Sequence, residues 1–322
     1  MRDERNRTID YMRVSITDRC NLRCVYCTPS DFACVSHQQV LRYEEILRVC
    51  GIAAKLGIRT VKVTGGEPLA RKGCVDFIKE LKNIPGIRHV TLTTNGVLLE
   101  PLIHTLTAIG LDGLNISLDA LTPETYLRMA GRHALRQVWQ SLQAALEAGL
   151  RVKINCVPVR SVNEDEILPI SRLAERFPVD VRFIELMPTS QGEALRGIPG
   201  DEIIKRLSIE YPDLKPDGSI RGFGPARYYG SAGLKGGIGL IDAVSNHFCS
   251  GCNRLRLTSE GFLKLCLYHS DGVDLRGMLR GGASDSEIEA VMRDAAYRKP
   301  ERHNFGSGND SEGIGLMSRI GG

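Results

Sequence analysis

Cys20, Cys24 and Cys27 are spaced C-x3-C-x2-C, and Cys249, Cys252 and Cys266 are spaced C-x2-C-x13-C. Thiolates are soft donors suited to zinc or iron–sulfur centres. Three of them can wrap a [4Fe–4S] cluster and leave one iron without a protein ligand, open to a substrate or cofactor. A structural zinc site is the alternative: His37 or Cys34 would complete the first set, and His247 or His269 the second. Within the second set lies Asn253-Arg254-Leu255-Arg256. On a strand, Arg254 and Arg256 project from one face, and paired guanidinium groups suit phosphate oxygens. Gly65-Gly66-Glu67-Pro68 combines glycines, which let backbone approach a ligand, with a carboxylate or exposed carbonyl that can accept from an ammonium group. Cys34, Cys50, Cys74 and Cys156 fit no motif and read as buried or incidental thiols.

These groups need a scaffold. Apolar, β-branched runs at 11–17, 60–64, 89–94, 113–118, 151–159 and 179–186 predict six strands. Helical patterns near 42–56, 74–83, 101–109, 135–148 and 164–177 alternate with them, and Thr122-Pro123-Glu124 carries a helix-start signature. Strand–helix alternation implies an α/β fold with parallel strands and right-handed crossovers. Periodicity alone fits an open doubly wound sheet or a partial (β/α) barrel equally well. In both, ligands bind where the strands end, and these strands end in TDRCN, TGGEP, TTNG, SLDA, VPVR and ELMP. After about residue 188 the pattern gives way to Gly, Pro and charge with weak strand signals. The expected division is residues 1–190 and residues 191–322, the latter carrying the second cysteine set and a glycine-rich tail.

Composition narrows the function. The chain has 322 residues, 42 Lys+Arg against 38 Asp+Glu, and ten cysteines. A formal charge of +4 gives no broad basic surface for nucleic acid. No apolar run approaches a membrane span, and the charged N-terminus lacks a signal-peptide core. The expectation is a cytoplasmic globular protein in which disulfides are disfavoured and cysteines serve metal or redox chemistry.

VSITDRCNLRCVYC on a first strand, followed by TGGEP after the next, resembles the radical S-adenosylmethionine (radical SAM) superfamily. With FCSGCNRLRLTSEGFLKLC, TTNG, NISLDA and a terminal Gly-Gly, almost the whole chain is similar to the GTP 3′,8-cyclase branch. The resemblance implies a partial (β/α)6 barrel with a C-terminal iron–sulfur extension, two [4Fe–4S] clusters and S-adenosylmethionine. It implies that Cys20, Cys24 and Cys27 hold the cluster that generates a 5′-deoxyadenosyl radical. This radical removes hydrogen from C3′ of GTP, and C3′ then bonds to C8 of guanine, in the first step of molybdenum cofactor biosynthesis. Cys249, Cys252 and Cys266 would hold a second cluster whose open iron binds the guanine ring.

For S-adenosylmethionine, the resemblance implies Tyr26, Gly66, Glu67, Ser117 and Met187. For GTP it implies Arg13, Lys62, Thr93, Lys153, Arg182, Arg254, Leu255 and Arg256. Gly321 and Gly322 would reach into the active site and support radical formation. An external electron donor, a downstream enzyme forming cyclic pyranopterin monophosphate and a homodimer are the implied partners. The family usually has Arg where Lys62 stands and Lys where Thr60 stands, which bears on the triphosphate contacts. The readings set against this one are a peptide-modifying radical SAM enzyme, which would carry more auxiliary cysteines, and a zinc module that contacts nucleic acid.

Overall fold

The computed structural model describes residues 1–29, 32–188, 194–305 and 317–320. One sheet runs through it. Its strands are β1 (Tyr11–Ser15), β2 (Thr60–Thr64), β3 (His89–Thr94), β4 (Gly113–Ser117), β5 (Val152–Cys156), β6 (Asp180–Ile184), β7 (Lys215–Asp217), β8 (Arg227–Gly230), β9 (Ile238–Ile241), β10 (Arg254–Leu257), β11 (Phe262–Lys264) and β12 (Gly272–Asp274). Spatial order is β12-β11-β10-β1-β2-β3-β4-β5-β6-β9-β8-β7. From β10 through β9 every neighbouring pair is parallel, and an antiparallel pair extends each side.

The six expected strands are present, each trimmed by no more than a few residues. The helices α1 (Tyr43–Lys55), α2 (Cys74–Lys82), α3 (Ile103–Ala108), α4 (Pro123–Ala130) and α5 (Leu135–Glu147) also fall where expected. The helix expected over 164–177 is instead three short pieces: a 3-10 turn at Glu164–Glu166, then Ile167–Ser171 and Leu173–Arg176. Pro169 lies in the first turn of the second piece and has no N–H to extend a hydrogen-bond ladder back across the junction.

The region after residue 188 holds more regular structure than its composition suggests. Helix Gly200–Glu210 buries Ile203 and Leu207 behind an acidic first turn. Strands β9 and β10 join the parallel sheet at opposite flanks, beside β6 and β1. The C-terminal region therefore extends the N-terminal sheet on both sides.

Side chains alternate across the sheet. Met12, Val14, Val61, Val63, Leu92, Leu114, Ile116, Ile154, Val181, Phe183, Leu255 and Leu257 belong to the buried apolar core. The other face is polar, and the sheet curls around it. Arg182 on β6 lowers the proton affinity of both Arg13 on β1 and Lys62 on β2. A flat sheet would put β1 and β6 about 24 Å apart. Such coupling requires a partial barrel with its polar face inward. Among the described residues, no helix is long and apolar enough to cross a membrane.

Candidate active site

Strand direction places the two thiol sets. Cys20, Cys24 and Cys27 follow the carboxyl end of β1. Cys249 and Cys252 precede β10, which lies parallel to β1, so they sit at the amino end. Strand β11 returns antiparallel to β10, with Arg256 opposite Lys264, and carries Cys266 back to that same end. The sets thus cap opposite ends of one barrel whose five-residue strands are about 16 Å long.

At the carboxyl end, loops from five strands converge. The Tyr26 hydroxyl donates to Asp119 Oδ2 (2.7 Å), and the Val157 N–H donates to Asp119 Oδ1 (2.8 Å). Asn95 Nδ2 donates to Asn21 Oδ1 (2.7 Å) and points toward Cys20 Sγ (3.7 Å). Gly66 N–H donates to the Thr17 carbonyl (2.6 Å) and Glu67 N–H to the Arg19 carbonyl (2.7 Å). A Cβ on Gly66 would stand 2.4 Å from the Arg19 carbonyl oxygen, so only glycine allows this approach to the cysteine loop.

Glu67 differs from expectation. Its fully buried carboxylate accepts from Leu69 N–H (3.0 Å), Asn95 N–H (2.7 Å) and the Thr94 hydroxyl (2.7 Å). The side chain ties the GGEP turn to the end of β3 and is already satisfied. A ligand ammonium would find main-chain carbonyls there instead. Burial pushes the Glu67 carboxyl up to about 7 and that of Asp119 up to about 6. Ser117 and Met187, half-buried, stand at and beyond the ends of β4 and β6. Asp119 and Asn95 were missed as individual site residues. Their signal lay in SLDA and TTNG, polar residues directly after predicted strands.

The inward wall is cationic. Register aligns Arg256, Arg13, Lys62 and Thr91 across β10, β1, β2 and β3. A second row runs Thr93, Asn115, Lys153 and Asp180 across β3 to β6. Burial followed by neighbouring cations lowers Arg13 to about 10, and drives Lys62 and Arg256 well below their ordinary values. Among the described residues Lys62 has no ion-pair or hydrogen-bond partner. Arg182 donates to Asn155 Oδ1 (2.6 Å), but its buried Nε is orphaned. Arg254 lies over the Phe248 ring, 4.6 Å from its centroid. Such a wall suits a polyanion, whose oxygens would relieve the crowding of like charge.

Two expected contacts are not simple. Lys153 pairs with Asp180 (2.9 Å) and donates to the Tyr228 hydroxyl (2.9 Å) and to the Arg221 carbonyl. It is thus partly neutralised. Leu255 faces away, wholly buried in the apolar core, because it alternates with Arg254 and Arg256 along β10. Only its main chain faces a ligand in the barrel. Gly321 and Gly322 lie outside the described residues.

The donor sets fit iron–sulfur ligation. Each presents three partly buried, unbridged thiols from one end of the barrel. Among the described residues, no three His, Cys, Asp or Glu side chains gather as a metal-binding group. Of the candidate fourth zinc ligands, His37 Nε2 is 3.1 Å from Arg19, His269 Nε2 is 2.9 Å from the Arg302 carbonyl, and the His247 ring packs against His303. Cys34 is exposed, while Cys50, Cys74 and Cys156 are buried as expected.

The Radical SAM superfamily model matches residues 14–174, and the Molybdenum Cofactor Synthesis C model matches residues 179–305. A GTP 3′,8-cyclase of Clostridium perfringens is 42% identical over 323 residues, covering 100% of both chains. One from Heliobacterium modesticaldum is 46% identical over 321 residues, covering 98% of each. Among solved structures, Streptococcus suis SuiB bound to S-adenosylmethionine aligns with a TM-score of 0.67 at 13% identity. That alignment covers 91% of this chain and 66% of SuiB, and shows a shared fold.

Proposed function

The chain belongs to the GTP 3′,8-cyclase family of the radical SAM superfamily, and from that premise we propose how its residues divide the reaction. The overall chemistry is cyclisation of GTP: a bond forms between ribose C3′ and guanine C8, in the first step of molybdenum cofactor biosynthesis. The observation that carries this reading for this chain is the cationic inward wall lying between two three-thiol sets.

Cys20, Cys24 and Cys27 hold a [4Fe–4S] cluster which, bound and reduced, supplies the electron that cleaves S-adenosylmethionine to methionine and a 5′-deoxyadenosyl radical. Tyr26, Gly66, Ser117 and Met187 line the cofactor's place. Glu67 shapes the turn whose main-chain carbonyls meet the ammonium group. Asp119 fixes Tyr26 through its hydroxyl. Arg13, Lys62, Arg182, Arg254 and Arg256, with Thr93 and the partly neutralised Lys153, hold the triphosphate. They place C3′ toward the cofactor end and guanine toward the amino end. Hydrogen leaves C3′ with the deoxyadenosyl group. After ring closure the nucleotide takes up one electron and one proton from an external donor, so the product is an isomer of GTP.

Residues 191–322 form the part that brings the second set, Cys249, Cys252 and Cys266, and these hold a second [4Fe–4S] cluster facing guanine. Gly321 and Gly322 support radical formation at the site. The product passes to an enzyme that forms cyclic pyranopterin monophosphate, and the working enzyme is a homodimer in the cytoplasm.

The test is anaerobic reconstitution with iron and sulfide, followed by incubation with dithionite, S-adenosylmethionine and GTP. Mass spectrometry should find 5′-deoxyadenosine and a new GTP isomer, with about eight irons per chain. About four irons would remove the second cluster. 5′-Deoxyadenosine without a GTP product would redirect the search to another substrate.

A further inference from the structure

Neither Arg7 nor Lys299 belongs to a motif, yet together they clamp the second thiol set from both ends of the chain. Arg7 is buried and pairs with Asp3 through Nε (2.5 Å). Its guanidinium also donates to the carbonyls of Cys249 (2.9 Å), Lys299 (3.0 Å), Pro300 (2.7 Å) and Glu301 (3.0 Å). One hook thus joins the first ligand of the set to segment 299–301. That segment delivers Lys299, which is only 2% exposed. Its Nζ donates to the carbonyl of Leu265, the residue before Cys266.

Among the described residues Lys299 has no carboxylate partner. A buried ammonium without a counter-charge is costly. Its bond to the Leu265 carbonyl sets it one residue from Cys266, and the Arg7 hook ties its own carbonyl to that of Cys249, so the groups beside it that can carry negative charge are the thiols of the second set. A cluster held by three thiolates carries that negative charge when bound.

We propose that Lys299, held by the Arg7 hook, is the counter-charge and positioning residue of the second cluster. The inference rests on the reading of Cys249, Cys252 and Cys266 as cluster ligands. Its ammonium offsets the charge of the thiolates and fixes the strand end that bears Cys266. An outer partner of this kind governs both retention of a metal centre and its electronics.

The experiment uses the full chain carrying Cys24→Ala, so that only the second cluster is reconstituted. In that background Lys299→Gln keeps an N–H donor and removes the charge, and Lys299→Arg keeps the charge. Iron loss to a chelator and the midpoint potential, followed by electron paramagnetic resonance, are the readouts. Lys299→Gln should lose iron about tenfold faster, and its retained cluster should have a more negative potential, because a neighbouring cation favours the reduced form. Lys299→Arg should restore the potential. An unchanged potential in Lys299→Gln overturns the proposal and leaves Lys299 a structural clip. Adding Cys252→Ala should remove the remaining iron; iron that stays overturns the cluster reading itself.

Discussion

At the carboxyl end of the barrel, Cys20, Cys24 and Cys27 have carboxylates for charged neighbours; at the amino end, Cys252 and Cys266 have cations. Burial raises Cys20 to about 11 and holds Cys24 well above its ordinary value, with Glu67 adding to the first and Asp119 to the second. Burial also raises Cys252, but Arg254, Lys299 and a main-chain donor outweigh it and bring this thiol down to about 7. Cys252 is therefore tuned opposite to the first set, while burial raises Cys249 beside it. A carboxylate-flanked end suits a cofactor bearing sulfonium and ammonium charges, and a cation-rich end and wall suit a triphosphate. Such a field would sort two ligands of opposite charge before either met a specific contact.

The comparison breaks most visibly with cysteine variants. Cys24→Ala should abolish 5′-deoxyadenosine formation. Cys266→Ala should leave cofactor cleavage measurable and remove cyclisation. Full GTP turnover in Cys266→Ala would mean that the second end has no part in the reaction.

Removing one cation from the wall comes next. Arg256→Ala should weaken GTP binding by roughly 1.5–3 kcal/mol, the range for a hydrogen bond to a charged group. Lys153→Ala should cost less, because Asp180 already neutralises that side chain. Isothermal titration of GTP separates them, and equal losses would count against the neutralising role drawn for Asp180.

Metal uptake sharpens the contrast between the two ends. Binding iron displaces thiol protons, so a raised thiol pKa penalises loading near neutrality. In a reconstitution series from about pH 6 to about pH 8, the second set should fill at the lower pH and the first should lag. Iron counted in Cys24→Ala and Cys266→Ala reports each end alone. The reverse order would show that the carboxylates at the first end do not control its thiols.

The smallest effect concerns Glu67 in the metal-free chain. Its folded pKa is about 7 against an ordinary 4.5, so the folded state holds the proton more tightly. The resulting stabilisation is complete below 4.5 and is lost as pH rises through 7. Asp119 acts in the same sense at lower pH. Tm should fall over this window, and Glu67→Gln should flatten the fall.

Much of this was legible along the chain. The six N-terminal strands could be found because each carries an apolar stripe for the core, as in Val61 and Val63 or Leu114 and Ile116, and each ends in polar residues. The thiol sets and Arg254 with Arg256 were legible from spacing. Leu255 was assigned to the ligand by motif, although strand alternation alone turns it into the core. Glu67 looked like a ligand contact, and only the folded geometry reveals three donors already on its carboxylate. The pairing of β1 with β10 and of β6 with β9 has no local signature, since register between distant segments is set by the assembled sheet. Lys299 belongs to no motif in the sequence.

The adjacency of β1 and β10 also sets an order of events. During synthesis β1 emerges early, while β10, its parallel neighbour, emerges only after β2 to β9. Until then β1 keeps one open edge, an invitation to pair with the wrong chain. The flank can be sealed only when the last quarter of the protein arrives. A nascent chain stalled before Arg254 would retain every ligand of the first thiol set and still lack a finished wall. Closure of the wall between the two thiol sets is thereby coupled to completion of translation.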